Sequence, residues 1–249
     1  KAVKKSDTRA RSRCPRIARS RAMTGLSLEL NGARLQADPA GVLVWPARRA
    51  VAVADLHLEK ASALAGHGGE RLPPYDSAAT LDRLETVLDH HQPTTVICLG
   101  DSFHDAGGPG RLAAADAARL RALTAACDWV WVAGNHDPAP PPGLGGRGVD
   151  TLTLDGLVFR HVARAAPPHA GEVSGHYHPK AAVRLRGRRV AAPCFALDGR
   201  RLILPAFGAY TGGLSLLDPA LRTLLMPEAR ALLLARGTVR AFPLAALVP

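Results

Sequence analysis

Four short clusters of Asp, Asn and His residues carry the strongest chemical signal in this sequence. They are Asp55-Leu56-His57, Gly100-Asp101, Gly134-Asn135-His136-Asp137 and Gly175-His176-Tyr177-His178. Asp101 follows the apolar run 94–99, which is predicted as a buried strand. A carboxylate at the end of a buried strand is costly unless another charge compensates it. Four such clusters in one chain therefore indicate a metal site.

The types of side chain restrict the metal. Asp, Asn and His without Cys favour Mn²⁺, Fe²⁺ or Zn²⁺ over a zinc site built from thiolates. In a strand, residues i and i+2 point to the same face, so Asp55 and His57 are predicted to aim at one point, as are His176 and His178. Two cations about 3.5–4 Å apart need a bridging anion, and Asp101 is the natural candidate.

Two cations held in this way would suit the hydrolysis of a phosphoester. They would lower the pKa of a shared water and neutralise phosphate charge. The leaving alkoxide still needs a proton, and His136 suits that role because it stands next to a candidate ligand. Asp137 could hold the His136 ring in the right tautomer.

Each cluster also has a purely structural interpretation. Asp55 and His57 could form a polar strand end, Asn135 could be a turn residue, and Asp101 could cap a helix. These interpretations would all have to hold together in four ordered clusters, so the metal site is favoured.

The elements that position these clusters alternate between strand and helix in the first half of the chain. A helix is predicted from Asp76-Ser77, its cap, to Pro93, and an Ala-rich helix from about Leu112 to Ala126. Residues 59–75 are predicted to form a loop because Gly and Pro are frequent there. Hairpins follow over residues 180–204, and a brief helix is predicted near Glu228–Ala235. This order predicts mixed sheets layered with helices in a single domain, residues 23–249.

The net charge of +11 is concentrated at the start of the 249-residue chain. Residues 1–22 hold nine of the 32 Lys and Arg residues and one of the 21 acids, which leaves only +3 for the remainder. Two interpretations of this segment remain open: a disordered basic leader, or translated sequence upstream of a true start at Met23. It has no apolar run for a membrane span or a secretory signal, so no membrane association is expected.

Two further patterns concern compartment and partners. The four cysteines, Cys14, Cys98, Cys127 and Cys194, form no C-x-x-C pair or zinc spacing, which favours a reducing, cytoplasmic location. Six arginines on the late hairpins are candidates for a nucleic-acid-binding face: Arg184, Arg186, Arg188, Arg189, Arg200 and Arg201. The alternative is equally open, because charges on edge strands also discourage aggregation.

At the four clusters the sequence resembles the calcineurin-like metallophosphoesterases. Their pattern is D-x-H, G-D, G-N-H-D/E and G-H-x-H, with a lone His before the last motif that corresponds here to His161. The resemblance implies an α/β fold, a four-layer αββα sandwich with two mixed β-sheets. It also implies two divalent metal ions, with Mn²⁺ as the expected ion and Fe²⁺, Zn²⁺ or Mg²⁺ as alternatives. The implied ligands are Asp55, His57, Asp101 and His178 for one ion, and Asp101, Asn135, His161 and His176 for the other.

A closer resemblance rests on four longer stretches, Ala54–Lys60, Gly100–Asp105, Gly175–Pro179 and Leu204–Gly213. Together they are similar to the PdeM family of bacterial ligase-associated DNA damage response endonucleases. That similarity implies a DNA phosphodiester substrate, with a DNA ligase, a helicase and an exonuclease as partners. His104 also completes a G-D-x-F-H motif that is similar to that of other nucleases in the superfamily, in which this His helps to position the phosphate.

Three hypotheses about function follow. The first is a metal-dependent phosphodiesterase that cuts DNA, an endonuclease in DNA repair. The second is a small-molecule phosphodiesterase or phosphomonoesterase; a protein phosphatase would show Asp-Arg-Gly where His104-Asp105-Ala106 stands. The third is a non-catalytic, metal-bound subunit of a repair complex, against which an intact His136 argues. The sequence leaves the oligomeric state open.

Overall fold

The computed structural model describes residues 25–66, 72–165 and 171–249. The predicted leader, residues 1–22, and the proposed start at Met23 lie outside the described residues. Within them the helices are α1 Lys60–Gly66, α2 Asp76–His91, α3 Gly108–Arg111, α4 Ala114–Ala126 and α5 Pro219–Arg222. Short 3₁₀ turns occupy Pro46–Arg48 and Leu244–Ala246.

The first sheet has seven strands in chain order. They are β1 Leu26–Leu30, β2 Ala33–Ala37, β3 Leu43–Trp45, β4 Ala50–Val53, β5 Thr95–Leu99, β6 Asp128–Val132 and β7 Arg147–Val149. Strands β1 to β4 form an antiparallel meander, whereas β4 to β7 are parallel. Parallel strands covered on both faces are apolar throughout, which explains the unbroken run of buried residues in β5 and β6.

Among the described residues, the second sheet has nine strands. They are β8 Leu152–Leu154, β9 Leu157–Phe159, β10 Gly171–Ser174, β11 Pro179–Leu185, β12 Arg188–Leu197, β13 Arg201–Ile203, β14 Leu214–Ser215, β15 Arg230–Ala235 and β16 Thr238–Pro243. Their order is β14-β11-β12-β13-β10-β9-β8, and β15 pairs with β12 and β16. Strand β10 is parallel to both β9 and β13.

Three apolar clusters separate the layers. The largest lies between the two sheets and includes Trp45 and Ile97 from the first sheet and Phe195 from the second. A second cluster packs α2 and α4 onto the outer face of the first sheet. A third lies on the outer face of the second sheet, where the only helical cover in the described chain is α5 and the turn at Leu244–Ala246. The predicted αββα sandwich is confirmed, with a thin fourth layer.

Two local predictions were wrong. Residues 59–75 are not all loop, because α1 occupies Lys60–Gly66. The segment predicted as a helix near Glu228–Ala235 is strand β15, in which Leu232 and Leu233 are buried against β12. Pairing with a neighbouring strand overrides the helix preference of Ala and Leu there. None of the helices in the described ranges is long and apolar enough to span a membrane.

Candidate metal centre

The seven predicted ligand residues converge where the two sheets meet at one edge. Asp55, Asp101 and Asn135 lie in the loops that follow β4, β5 and β6, which are adjacent and parallel. His161 follows β9, and the pair His176 and His178 follows β10, parallel to β9. The carboxyl ends of parallel strands are where layered α/β proteins build sites. Each sheet therefore supplies part of the centre.

The first group of side chains is Asp55, His57 and His178. Their ligand atoms all lie within 4.8 Å of one another. The Nε2 atoms of His57 and His178 are 3.2 Å apart, and His178 Nε2 is 3.4 Å from Asp55 Oδ1. Asp55 is fully buried and His57 is 4% exposed, so a charge placed between them would be shielded from solvent.

The second group is Asp101, His161 and His176, again with ligand atoms within 4.8 Å of one another. His161 Nε2 lies 3.3 Å from Asp101 Oδ2 and 3.1 Å from His176 Nδ1. The Oδ1 atom of Asn135 is 2.9 Å from the same His161 nitrogen. This carboxylate, imidazole and amide set has the donor chemistry expected for a divalent cation.

Asp101 lies between the two groups. Its Oδ2 atom is 3.3 Å from His161 Nε2 in the second group and 4.0 Å from His57 Nε2 in the first. Its other oxygen, Oδ1, accepts a hydrogen bond from the backbone N–H of His136. The side chain is thus held in place with one oxygen directed between the groups, the position that a bridging ligand needs.

The backbone at the ligands differs from the strand geometry expected from the sequence. Five ligand residues have left-handed backbone conformations, with φ values between 43° and 71°: Asp55, His57, Asp101, His176 and His178. The convergence within each D-x-H and H-x-H pair is therefore produced by tight turns after the strands, not by i, i+2 alternation. Strained backbone of this kind is concentrated at functional sites in proteins.

The electrostatics fit a bound cation. Burial tends to raise the pKa of Asp101, but the hydrogen bond and charge of His161 outweigh it and lower the pKa to about 2. Burial, and then the neighbouring His178, lower the pKa of His57 to about 3. At neutral pH the centre therefore presents an ionised carboxylate and a neutral imidazole, the protonation states that metal ligands require.

His136 lies beside the two groups at the surface. Its Nδ1 is 2.7 Å from the backbone carbonyl oxygen of His104, and its Nε2 is 4.0 Å from Asp101 Oδ2. The side chain is 39% exposed, so its free nitrogen is open to a ligand from solvent. The His104 ring stacks on it with centroids 5.2 Å apart. Burial lowers the pKa of His104 and keeps its ring neutral.

Asp137 does not orient the His136 ring, contrary to the prediction. Its Oδ2 atom accepts hydrogen bonds from the backbone N–H groups of Ser102 and Phe103, at 2.7 and 3.1 Å. The partner that orients the His136 ring is the His104 carbonyl instead. Asp137 therefore shapes the loop that carries Asp101, and burial raises its pKa to about 6.

Several supporting residues were missed from the sequence. Glu59 binds the hydroxyls of Ser62 and Ser77, and its backbone N–H donates to Ser77 Oγ, which fixes the turn after His57. Asp76, predicted to cap α2, instead accepts from the backbone N–H of Ala61 at the start of α1. The pairings of Glu59 with Ser77 and of Asp76 with Ala61 join segments apart in sequence, so no local pattern indicates them.

The segment Leu204–Gly213 supports the loop of Asp55 from the second sheet. The backbone N–H groups of Phe207 and Gly208 donate to the carbonyl oxygens of Ala54 and Asp55. Arg83 donates to the Phe207 carbonyl and lies over its ring at 4.4 Å. Arg83 belongs to α2. An arginine in an amphipathic helix is usually expected on the solvent-exposed face, so the sequence did not indicate this contact.

The six candidate arginines of the late hairpins do not form one face. Arg201 is 1% exposed and forms an ion pair with buried Glu172 at 2.8 Å, so it is excluded from a nucleic-acid surface. The other five are exposed. Outside these hairpins, His91 Nε2 at the end of α2 lies 3.0 Å from Oδ2 of buried Asp38.

Comparisons with known proteins show which family the chain belongs to. The family model for calcineurin-like phosphoesterases matches residues 48–188. The structure of a Pseudomonas putida protein described as nuclease MPE matches with a TM-score of 0.67 and 32% identity, covering 88% of this chain and all of that one. Yfce, a phosphoesterase from E. coli, aligns at 16% identity and a TM-score of 0.38, covering 74% and 87% of the two chains. No curated protein matches the sequence. The chain belongs to the calcineurin-like phosphoesterase family, whose members are phosphoester hydrolases with a dinuclear metal centre.

Proposed function

We propose that this protein is a metal-dependent phosphodiesterase that hydrolyses DNA phosphodiester bonds, an endonuclease of DNA repair with Mn²⁺ as its working ion. The nuclease described for Pseudomonas putida supports this proposal, since it is similar over its whole length. The repair role and its partners, a DNA ligase, a helicase and an exonuclease, rest on the resemblance to the PdeM family alone.

One observation carries the proposal: two largely buried ligand groups are adjacent, and the carboxylate of Asp101 lies between the ligands of one group and those of the other. A pair of divalent cations bound there would supply Lewis acidity towards the phosphate and a water of lowered pKa. The chain itself supplies the ligands named above and shields four of them from bulk water, because Asp55, His57, Asp101 and His161 are almost fully buried.

His136 is placed to move the proton that the leaving group needs. Because its Nδ1 faces a carbonyl oxygen, that nitrogen carries a hydrogen, and Nε2 is the atom that can exchange a proton with a substrate. The neutral ring of His104 beside it can donate a hydrogen bond to a phosphate oxygen. Both rings lie on the exposed side of Asp101, where a phosphodiester would approach.

The test uses purified full-length protein loaded with Mn²⁺. Four substrates are compared: bis-p-nitrophenyl phosphate, p-nitrophenyl phosphate, and circular single- and double-stranded DNA. Hydrolysis of the diester together with nicking of circles supports the proposal. Preference for the monoester, or for small diesters without DNA cleavage, contradicts it in favour of a small-molecule phosphoesterase. Inactivity on all four with two bound metals would indicate a non-catalytic subunit.

The His136→Ala variant tests the assigned proton donor. Loss of a general acid should lower kcat for the diester by about 10²–10⁴-fold. Metal content should be unchanged, because the hydrogen bond from residue 136 to Asp101 is donated by its backbone N–H, which alanine retains. His90→Ala, at an exposed position at the end of α2, is the matched control. Loss of metal from His136→Ala would show that the residue is a structural support and not the acid.

A further inference from the structure

A cavity of about 220 Å³ opens directly beside the metal centre. Its wall includes the candidate ligand His178, and the remaining lining comes from β11, β12 and the segment 206–212. The lining residues are His178, Lys180, Ala191, Ala192, Pro193, Ala206, Thr211 and Gly212. Small apolar side chains and one cation therefore adjoin the position where a phosphodiester would be cut.

The floor of this cavity continues along one face of the β11–β12 hairpin. Lys180, Ala182 and Arg184 alternate along β11 and point to the same side. Their register partners on β12 are Pro193, Ala191 and Arg189. The opposite face is occupied, because Ala181 and Val183 pack into the outer apolar cluster of the second sheet. On the other face Ala182 is only 5% exposed, Lys180 is half-buried, and the exposed residues are Arg184, Arg189, Ala191 and Pro193. This face is a strip with cations at both ends, and it is called the strip below.

Charge along the strip has one sign. Residues 179–193 contain five Lys and Arg residues and no Asp or Glu. Lys180 is two residues from His178, and its stem runs beside Gly213, where an added Cβ would lie 2.5 Å from Lys180 Cε. Arg184 is exposed, whereas Arg189 donates a hydrogen bond to the carbonyl oxygen of Pro249. Lys180 and Arg184 are therefore the cations best placed for an anionic ligand.

We propose that this strip is the track for the DNA strand on one side of the scissile phosphate. The nucleotide next to the cut occupies the cavity, Lys180 binds the phosphate that follows, and Arg184 binds a more distant one. Four residues of a strand span about 13 Å, a length of a few nucleotides. This inference rests on the proposed function and adds to it which part of the surface binds DNA.

The experiment measures kcat and KM of Mn²⁺-loaded protein on single-stranded oligonucleotides of increasing length, with bis-p-nitrophenyl phosphate for comparison. Lys180→Met keeps the length of the stem and removes the charge, and Arg184→Met does the same at the distal position. Arg200→Met is the control, because Arg200 is exposed in the turn between β12 and β13, away from the strip.

Lys180→Met should raise the KM for oligonucleotides about tenfold. The KM for the small diester should rise far less. The increase for Arg184→Met should appear only in oligonucleotides long enough to reach it. Each variant should reduce the slope of log KM against log salt by about 1. If both variants still cleave DNA with unchanged KM and salt slope, the proposed track is wrong, but the proposed function is not contradicted. Failure of the unsubstituted protein to cleave any DNA would overturn the proposed function as well.

Discussion

A left-handed backbone costs an L-residue about 1–2 kcal/mol, yet five ligand residues adopt it. At Asp55, the cost is offset by contacts that fix the turn: its carboxylate accepts from the backbone N–H of His176, and its own N–H donates to Gly100. At His57 the backbone N–H donates to the carbonyl oxygen of Asp101. The ligand loops therefore hold one another in place before any metal binds.

Glycines in the motifs stand where neighbouring atoms come too close for a side chain. The first prediction concerns one of them, Gly134. A Cβ at this position would lie 2.2 Å from the Asp101 backbone nitrogen and 2.4 Å from Asp101 Oδ1. We expect Gly134→Ala to displace Asp101 and to lower the number of bound Mn²⁺ ions per chain, measured by metal analysis after gel filtration. In the control Gly110→Ala the new methyl group meets nothing within 4 Å. Full metal content in Gly134→Ala would contradict the bridging position of Asp101.

A second prediction concerns protons released when metal binds. Burial tends to lower the pKa of His161, but its hydrogen bond with Asp101 and the charge of Asp55 raise it above the usual value. His161 must lose that proton to become a ligand, so metal affinity should weaken as pH falls. His57, with a pKa of about 3, is already neutral and should release none.

Calorimetric titration with Mn²⁺ in two buffers of different ionisation enthalpy measures this release. We expect it to decrease as pH rises through the raised pKa of His161, because above that pKa the ring is already neutral in the free protein. Release that does not vary with pH would show that His161 is not the residue that gives up the proton.

At the scale of elements, the sequence predicted those parts of the fold that have a local pattern. Strand β5 is an uninterrupted apolar run and α2 has helical spacing, so both were found. Strand β15 was missed because its apolar residues have no alternation and its identity comes from pairing with β12. The ligand turns were misassigned as strand because the backbone conformation of Asp55 depends on hydrogen bonds to Gly100 and His176, which are remote in sequence.

A third prediction concerns how β10 and β13 are joined. Glu172 and Arg201 are register partners in this parallel pair, both 1% exposed, with Arg201 Nε 2.8 Å from Glu172 Oε1. Arg201 also donates to the carbonyl oxygens of Arg164 and Leu224. We expect Arg201→Met to lower the free energy of unfolding by about 3–5 kcal/mol, because Glu172 would lose its closest cation.

Urea titration of this variant beside Arg200→Met, the exposed neighbour, measures the effect. The control should change the unfolding free energy by less than about 0.5 kcal/mol. In the double variant with Glu172→Gln, the loss should be smaller than the sum of the two single losses, since the buried pair is removed as a unit and neither of its two charges is left without the other. Additive losses would show that the two side chains do not act as a pair.

At the scale of the whole molecule, the layered architecture followed from the order of strands and helices, but the relation between the sheets did not. The apolar cluster between them combines residues from β3 with residues from β9 and β12, and no periodicity specifies such contacts. The metal centre lies at the edge of this interface. Asp55 and Asp101 belong to loops of the first sheet, while His161 and His178 belong to loops of the second. Bound metals would therefore connect the two halves of the sandwich.

The last prediction follows from that connection: metal binding should stabilise the whole fold. Each ion held only by the native state adds about 2.7 kcal/mol at a free concentration one hundred times its Kd. For a chain of this size that corresponds to a rise in Tm of about 5–10 °C per site. Thermal unfolding followed at increasing Mn²⁺, and again after a chelator, measures it. Asp101→Asn should show a smaller rise, because it weakens the ligand shared by both groups. An equal rise in this variant would place the stabilising metal outside the proposed centre.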